Sequence, residues 1–206
     1  MTDVFPFFCA LLADPRRVGA VVPSGAALAR AITREISPSS APVVELGPGT
    51  GAFTEQLLER GVPEDRLALI EYGPDFARLL EERYPSARVL RMDATRLRHV
   101  ELFEDEKAGA VVSGLPLLSL SPREVIGILR GAFHHLRDDG AFYQFTYGPR
   151  CPVPSAILDR LGLRASRIGR AIINVPPAGV YRITRSPFPP PDRHHRAAHP
   201  QAMAAA

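Results

Sequence analysis

A chain of 206 residues, 46% of them hydrophobic, is a natural length for one α/β domain with some terminal decoration. A formal net charge of +3 and a pI near 9.2 suit an anionic partner but fall well short of a dedicated nucleic-acid binder. Two cysteines, Cys9 and Cys151, are too few for a disulfide scaffold, and no apolar run approaches the roughly 18 to 20 residues needed to span a bilayer.

The N-terminus lacks the positive region and cleavage signature of a secretory signal, so a reducing, intracellular setting is expected. Of the 25 basic residues only Lys107 is lysine. That bias is read mainly as codon composition, yet it leaves a surface of forked guanidinium donors that suit phosphate.

In chain order, residues 1–24 form a leader: Val4 to Ala13 is almost wholly apolar, and Asp14-Pro15-Arg16-Arg17 then turns polar and basic. Gly25–Ile36 reads as a helix with Ser24 as N-cap and Leu28, Ala31 and Ile32 on one face, broken by Ser37-Pro38-Ser39-Ser40. An alternation follows. Strands are expected at Val43–Gly47, Arg66–Glu71, Ala87–Arg91, Ala110–Ser113 and Gly140–Thr146, with helices at Gly51–Arg60, Pro74–Tyr84 and Pro122–Leu136. Such alternation with short joints means parallel strands linked by right-handed crossovers. Pro154–Leu161 is expected as a last helix, and Leu163–Val175 with Gly179–Arg185 as an antiparallel hairpin around Pro176-Pro177. From Ser186 the chain is Pro-, His- and Ala-rich and is expected to be disordered; its three histidines read as solvated, and no metal is expected.

The segment richest in chemistry is Glu45-Leu46-Gly47-Pro48-Gly49-Thr50-Gly51-Ala52-Phe53. Glycines at alternate positions between an apolar strand and a helix let backbone turn sharply and approach a ligand. Two nucleotide readings compete. As G-x-G-x-x-G/A, with Ala52 last, the loop fits a dinucleotide, for which Glu71 explains itself but Asp93 does not. A sulfonium nucleoside uses all three acids at consecutive strand ends: Glu45 toward an ammonium, Glu71 toward ribose hydroxyls, Asp93 toward an adenine amine.

On these residues the stretch from Gly25 to Arg185 resembles the class I methyltransferases, which use S-adenosylmethionine. The resemblance implies a Rossmann-like α/β fold: a seven-stranded, mostly parallel sheet with an antiparallel C-terminal hairpin and helices on both faces. It also implies that Glu45, Gly47, Gly49 and Gly51 line the methionine part, Glu71 the ribose, and Asp93 with Ala94 the adenine. Tyr72 and Gly114 complete the implied cofactor set.

The expected fourth strand ends in Ser113-Gly114-Leu115-Pro116-Leu117. This position resembles the Asn-Leu-Pro-Tyr of the rRNA adenine dimethylases, but Gly114 replaces the asparagine and Leu117 the tyrosine. The amide clamp and stacking plate for a flat base are both missing, which counts against a nucleic-acid substrate. The ordered landmarks Asp14 to Ser24, Gly114-Leu115-Pro116, Gln144 to Arg150 and Asn174-Val175-Pro176-Pro177 instead resemble the bacterial phospholipid N-methyltransferases. Those enzymes convert phosphatidylethanolamine stepwise to phosphatidylcholine.

That likeness implies a monomer bound to the inner face of the cell membrane, with ethanolamine and anionic phospholipids as partners. Phe5, Phe8 and Leu12 would insert shallowly and Arg16 and Arg17 would meet anionic headgroups, unless the leader packs as a lid. Tyr147 is the expected acceptor-side residue, orienting the amine by hydroxyl or ring, with Arg150 and Ser24 toward the phosphate. Arg164, Arg167 and Arg170 would make one basic stripe on a helix but alternate faces on a strand; they are further candidates for phosphate. His134 and His135 are expected to pack rather than react. A non-catalytic binding module on the same fold is the remaining alternative.

Overall fold

The computed structural model describes residues 22–104, 106–171 and 177–187. The leader residues Phe5, Phe8, Leu12, Arg16 and Arg17, the landmark Asn174-Val175-Pro176 and the tail from residue 188 lie outside the described residues.

Strands β1 (Val43–Leu46), β2 (Leu67–Glu71) and β4 (Ala108–Ser113) are buried at every position, as continuous apolar runs must be when helices cover both faces of a sheet. With β3 (Arg88–Arg91), β5 (Leu136–Thr146), β6 (Leu163–Ala171) and β7 (Ala178–Arg185) they form one seven-stranded sheet of order β3-β2-β1-β4-β5-β7-β6. β7 inserts antiparallel between β5 and β6, and the other pairings are parallel. Strand β6 therefore forms one edge of the sheet.

Side chains alternate between two cores. Val44, Leu46 and Phe142 face α4 (Pro122–His135) and α5 (Ser155–Leu161), which bury Val125, Ile128, Leu129 and Ile157. Val43, Tyr143 and Val180 face α1 (Val22–Ile32), α2 (Ala52–Glu59) and α3 (Pro74–Arg83), which bury Leu28, Ile32, Leu57 and Leu80. Helix α4 carries a complete capping box, Ser121 with Glu124 three residues on, which sets its start. No described helix is long and apolar enough to cross a membrane.

Three boundaries depart from expectation. Ser24 lies inside α1 rather than capping it, since the helix already includes Val22 and Pro23; a proline is tolerated in a first turn, where no N–H is needed. The same helix stops at Ile32, because the turn that follows tucks Ile36 into the core at 2% exposure before Pro38. Strand β5 starts at Leu136, earlier than Gly140, where Leu136 pairs with Ala108 across an irregular register. Strand β6 is described from Leu163 to Ala171; the expected end at Val175 lies outside the described residues.

Candidate active site

The glycine loop joins β1 to α2 at the carboxyl ends of the parallel strands. Gly47, Gly49 and Gly51 all have positive φ, at 67°, 57° and 87°. Their surroundings differ. A Cβ on Gly47 would sit 2.8 Å from Leu115 and one on Gly51 2.8 Å from the Tyr84 hydroxyl, so both are packed against protein. A Cβ on Gly49 would meet nothing within 4 Å, and this is where the loop leaves its backbone open on the side-chain side.

Glu45 shares the face of Val43 and reaches beneath the loop, fully buried, where Thr54 of α2 donates to its Oε2 at 2.7 Å. Its Oε1 has no partner. Burial pushes this carboxyl from 4.5 up to about 8; the Thr54 hydrogen bond opposes the rise and the negative charge of Glu71 adds to it. Glu45 thus supports the loop from below. Its unpaired oxygen is the kind of orphan that an arriving cation satisfies.

Glu71, 8% exposed at the end of β2, accepts from the Gly49 amide at 3.1 Å through Oε2 and from the Gly73 amide at 2.8 Å through Oε1. It ties the tip of the loop to the next strand. A carboxylate has about four acceptor positions, so room remains for two hydroxyls. Tyr72 beside it is 76% exposed and lines a groove of about 760 Å³ with Met92, Asp93, Arg96 and His99. Asp93 caps the 3-10 turn Ala94–His99, its Oδ1 accepting from Thr95 N at 2.8 Å; Ala94 opens that turn. The three acids, Tyr72 and the loop thus gather at the carboxyl ends of β1, β2 and β3.

Gly114 packs directly against the glycine loop. A Cβ there would lie 2.6 Å from the Gly47 carbonyl, and its amide donates to Leu46 O at 2.8 Å. The end of β4 is pressed against the glycine loop, and no side chain fits between them. Leu117 is 3% exposed and packs in the core, so it offers no plate to a base.

On the acceptor side, Tyr147 is half-buried and meets the edge of Phe145 (centroids 5.6 Å), which in turn meets Phe53 of α2 (5.9 Å). Tyr147 is thereby linked through rings to the start of the helix that follows the loop. Arg150 lies exposed in the chain beyond, and Ser24 sits on α1. Buried His135 lowers its pKa by burial and bonds Leu97 O at 2.9 Å, packing as expected.

Two site residues escaped sequence reasoning. Thr54, buried next to Glu45, looks like any helix threonine. Gln144, 1% exposed, donates from Nε2 to Leu115 O at 3.0 Å and to Phe145 O at 2.9 Å, anchoring the Gly-Leu-Pro turn, while its Oε1 has no partner. A lone polar residue inside the apolar run Ala141–Phe145 was the available signal for it.

This strand order, with a glycine loop on β1 and acids near the ends of β1 and β2, is a Rossmann-like α/β fold, and comparison supplies the family. A family profile described as a methyltransferase domain matches residues 43–140. The ornithine lipid N-methyltransferase of Singulisphaera acidiphila is 34% identical over 154 residues, covering 72% of this chain and 80% of that protein. The chain belongs to the class I S-adenosylmethionine-dependent methyltransferases, which removes the dinucleotide reading and makes S-adenosylmethionine the cofactor. The ribosomal RNA small subunit methyltransferase A of Maridesulfovibrio salexigens is 40% identical, but over 74 residues that cover 36% of this chain and 27% of that one. Among solved structures, the glycopeptide N-methyltransferase MtfA complexed with S-adenosyl-L-methionine shares the fold, with a TM-score of 0.56 at 14% identity over 78% of this chain and 94% of its own.

Proposed function

We propose that the protein transfers methyl groups to the amine of a zwitterionic membrane lipid, with phosphatidylethanolamine and its methylated intermediates as substrates and phosphatidylcholine as the end product. The observation that carries this reading against a nucleobase is the contact of Gly114 with the Gly47 carbonyl, which leaves no space for an amide clamp. The extended likeness to a lipid N-methyltransferase supports it, whereas the likeness to the RNA enzyme is confined to a short stretch.

In this reading the open backbone at Gly49, with Gly47 and Gly51 shaping the loop and Glu45 below, holds the methionine part of the cofactor. Glu71 and Tyr72 hold the ribose, Asp93 and Ala94 the adenine, and Gly114 keeps the β4 end close enough to close the pocket. When bound, the cofactor supplies a methyl on a sulfonium, already a good leaving group. The chain's task is then mainly to place the amine in line with that methyl. Tyr147 orients the amine by ring and hydroxyl, and the amine gives up its proton to water. Arg150 meets the headgroup anion. The leader residues Phe5, Phe8, Leu12, Arg16 and Arg17 hold the protein peripherally on the inner membrane face, as a monomer and without nucleic-acid partners.

A second substrate reading, ornithine lipid, is favoured by the relative just described. Incubation with labelled cofactor and vesicles holding either phosphatidylethanolamine or ornithine lipid, followed by lipid separation, decides between them. Label in mono-, di- and trimethylated ethanolamine lipid is the expected outcome. Label in ornithine lipid alone moves the assignment, and label in added RNA alone removes it.

A further inference from the structure

Strand β6 contains a β-bulge that changes the meaning of its arginines. Arg164 pairs with Thr184 and Arg167 with Tyr181, but Gly169 pairs with Val180, leaving Ile168 as an extra residue. Directly paired residues share a face. Arg167 therefore lies on the face of Tyr181, and Arg170, opposite Gly179, lies on that same face, although three positions separate the two arginines. Arg164 is on the other face, donating to Thr184 Oγ1 at 3.2 Å. The bulge is pinned: Arg34, just after α1, donates to the Ile168 carbonyl at 2.5 Å.

The two arginines stand near the carboxyl end of the parallel strands. Gly179 of β7 pairs with Thr146, the last residue of β5, on one side and with Arg170 on the other, so Arg170 lies one strand away from, and level with, the strand end from which Tyr147 and Arg150 emerge, while Arg167 is level with Gln144. The Arg167 guanidinium carbon sits 5.8 Å from the centre of the Tyr181 ring, and a Cβ on Gly179 would come 3.0 Å from its Nη2. The Tyr181 hydroxyl donates to the Pro149 carbonyl at 3.4 Å, which joins this arrangement to the residue next to Arg150. Among the described residues no carboxylate pairs with Arg150, Arg167 or Arg170. All three are exposed.

We infer that Arg167 and Arg170, brought to one face by the Ile168 bulge and extended by Arg150, form the site for the anionic group of the acceptor, and so determine its specificity. A planar guanidinium fork resting on an aromatic ring is already oriented for an oxyanion. A zwitterionic lipid carries such an anion a few bonds from its amine, as a phosphate in phosphatidylethanolamine or a carboxylate in ornithine lipid. Holding that anion fixes how far the amine reaches toward the methyl. The inference rests on the lipid reading above.

The test measures steady-state methylation of each lipid in otherwise neutral vesicles. Arg167→Ala and Arg170→Ala should each raise the apparent KM for the accepted lipid about tenfold or more, with the KM for cofactor and kcat within about twofold. Arg164→Ala, on the opposite face, should leave all three near their starting values. Gly179→Ala keeps every charge but pushes the Arg167 fork aside, and should raise the lipid KM alone. The lipid whose KM responds identifies phosphate or carboxylate as the anion. Equal effects from all three arginines would reduce the site to general surface charge and overturn the assignment, as would no effect from Arg167 and Arg170. If the unaltered protein methylates neither lipid, the lipid reading fails and this site fails with it.

Discussion

Replacing Glu45 by glutamine tests the least comfortable group in the fold. Its carboxyl is fully buried, has one hydrogen bond, from Thr54, and is held at about 8 instead of 4.5. At about 1.4 kcal/mol per pH unit, that difference stabilises the protonated folded form by on the order of 5 kcal/mol at most. The folded state binds this proton more tightly than the unfolded chain does. The contribution is therefore whole below about pH 4.5 and is lost as the pH rises through about 8. Glutamine keeps the shape and an acceptor for Thr54 but cannot ionise. In urea unfolding between pH 5 and 9, Glu45→Gln should gain at least ~2 kcal/mol relative to the unaltered protein, most of it between pH 6 and 8. Cofactor binding should show the converse. If the ligand's ammonium settles by Oε1, binding at pH 7 releases roughly one proton per site, read by calorimetry in buffers of different ionisation enthalpy, and the variant releases none. Parallel stability curves for the two proteins would refute the argument that burial governs this carboxyl.

Two other substitutions probe the loop. Glu71→Ala removes the acceptor for the Gly49 and Gly73 amides as well as the proposed ribose contact, and should weaken S-adenosylhomocysteine binding by roughly one to two orders of magnitude in calorimetry. Unchanged affinity would mean the ribose lies elsewhere. Gly114→Asn, which restores the dimethylase-like residue, forces atoms into the 2.6 Å approach to the Gly47 carbonyl. It should cost roughly 2 kcal/mol and lower the melting temperature by about 4–8 °C. A variant that melts normally and methylates RNA would contradict the reasoning that this contact keeps bases out.

Much of the architecture is legible locally. The fully buried runs of β1, β2 and β4 read as strands covered on both faces because, apart from Glu45 and Glu71 near the ligand ends, every position is apolar or small. The Ser121–Glu124 box and Pro122 announce α4 without any tertiary information. The residue type permits the positive φ values at Gly47, Gly49 and Gly51, and a seven-stranded sheet with an antiparallel end agrees with the resemblance.

The rest depended on contacts between distant parts of the chain. That Gly49 faces open space while Gly47 and Gly51 are enclosed depends on Leu115 and Tyr84, far away in sequence. Gly114 is small because β1 and β4 are neighbours, and Gln144 is polar because the Leu115 carbonyl needs a donor. The arginines of β6 were read as a helical stripe or as alternating strand residues; a single inserted residue, pinned by Arg34, produces a third arrangement with Arg167 and Arg170 together. Hydrophobic period and glycine placement belong to the sequence because each residue's own burial and backbone limits impose them. Which groups share a pocket belongs to the tertiary structure, because strand order and register are settled by side chains meeting across the sheet, and no stretch of chain records its neighbours.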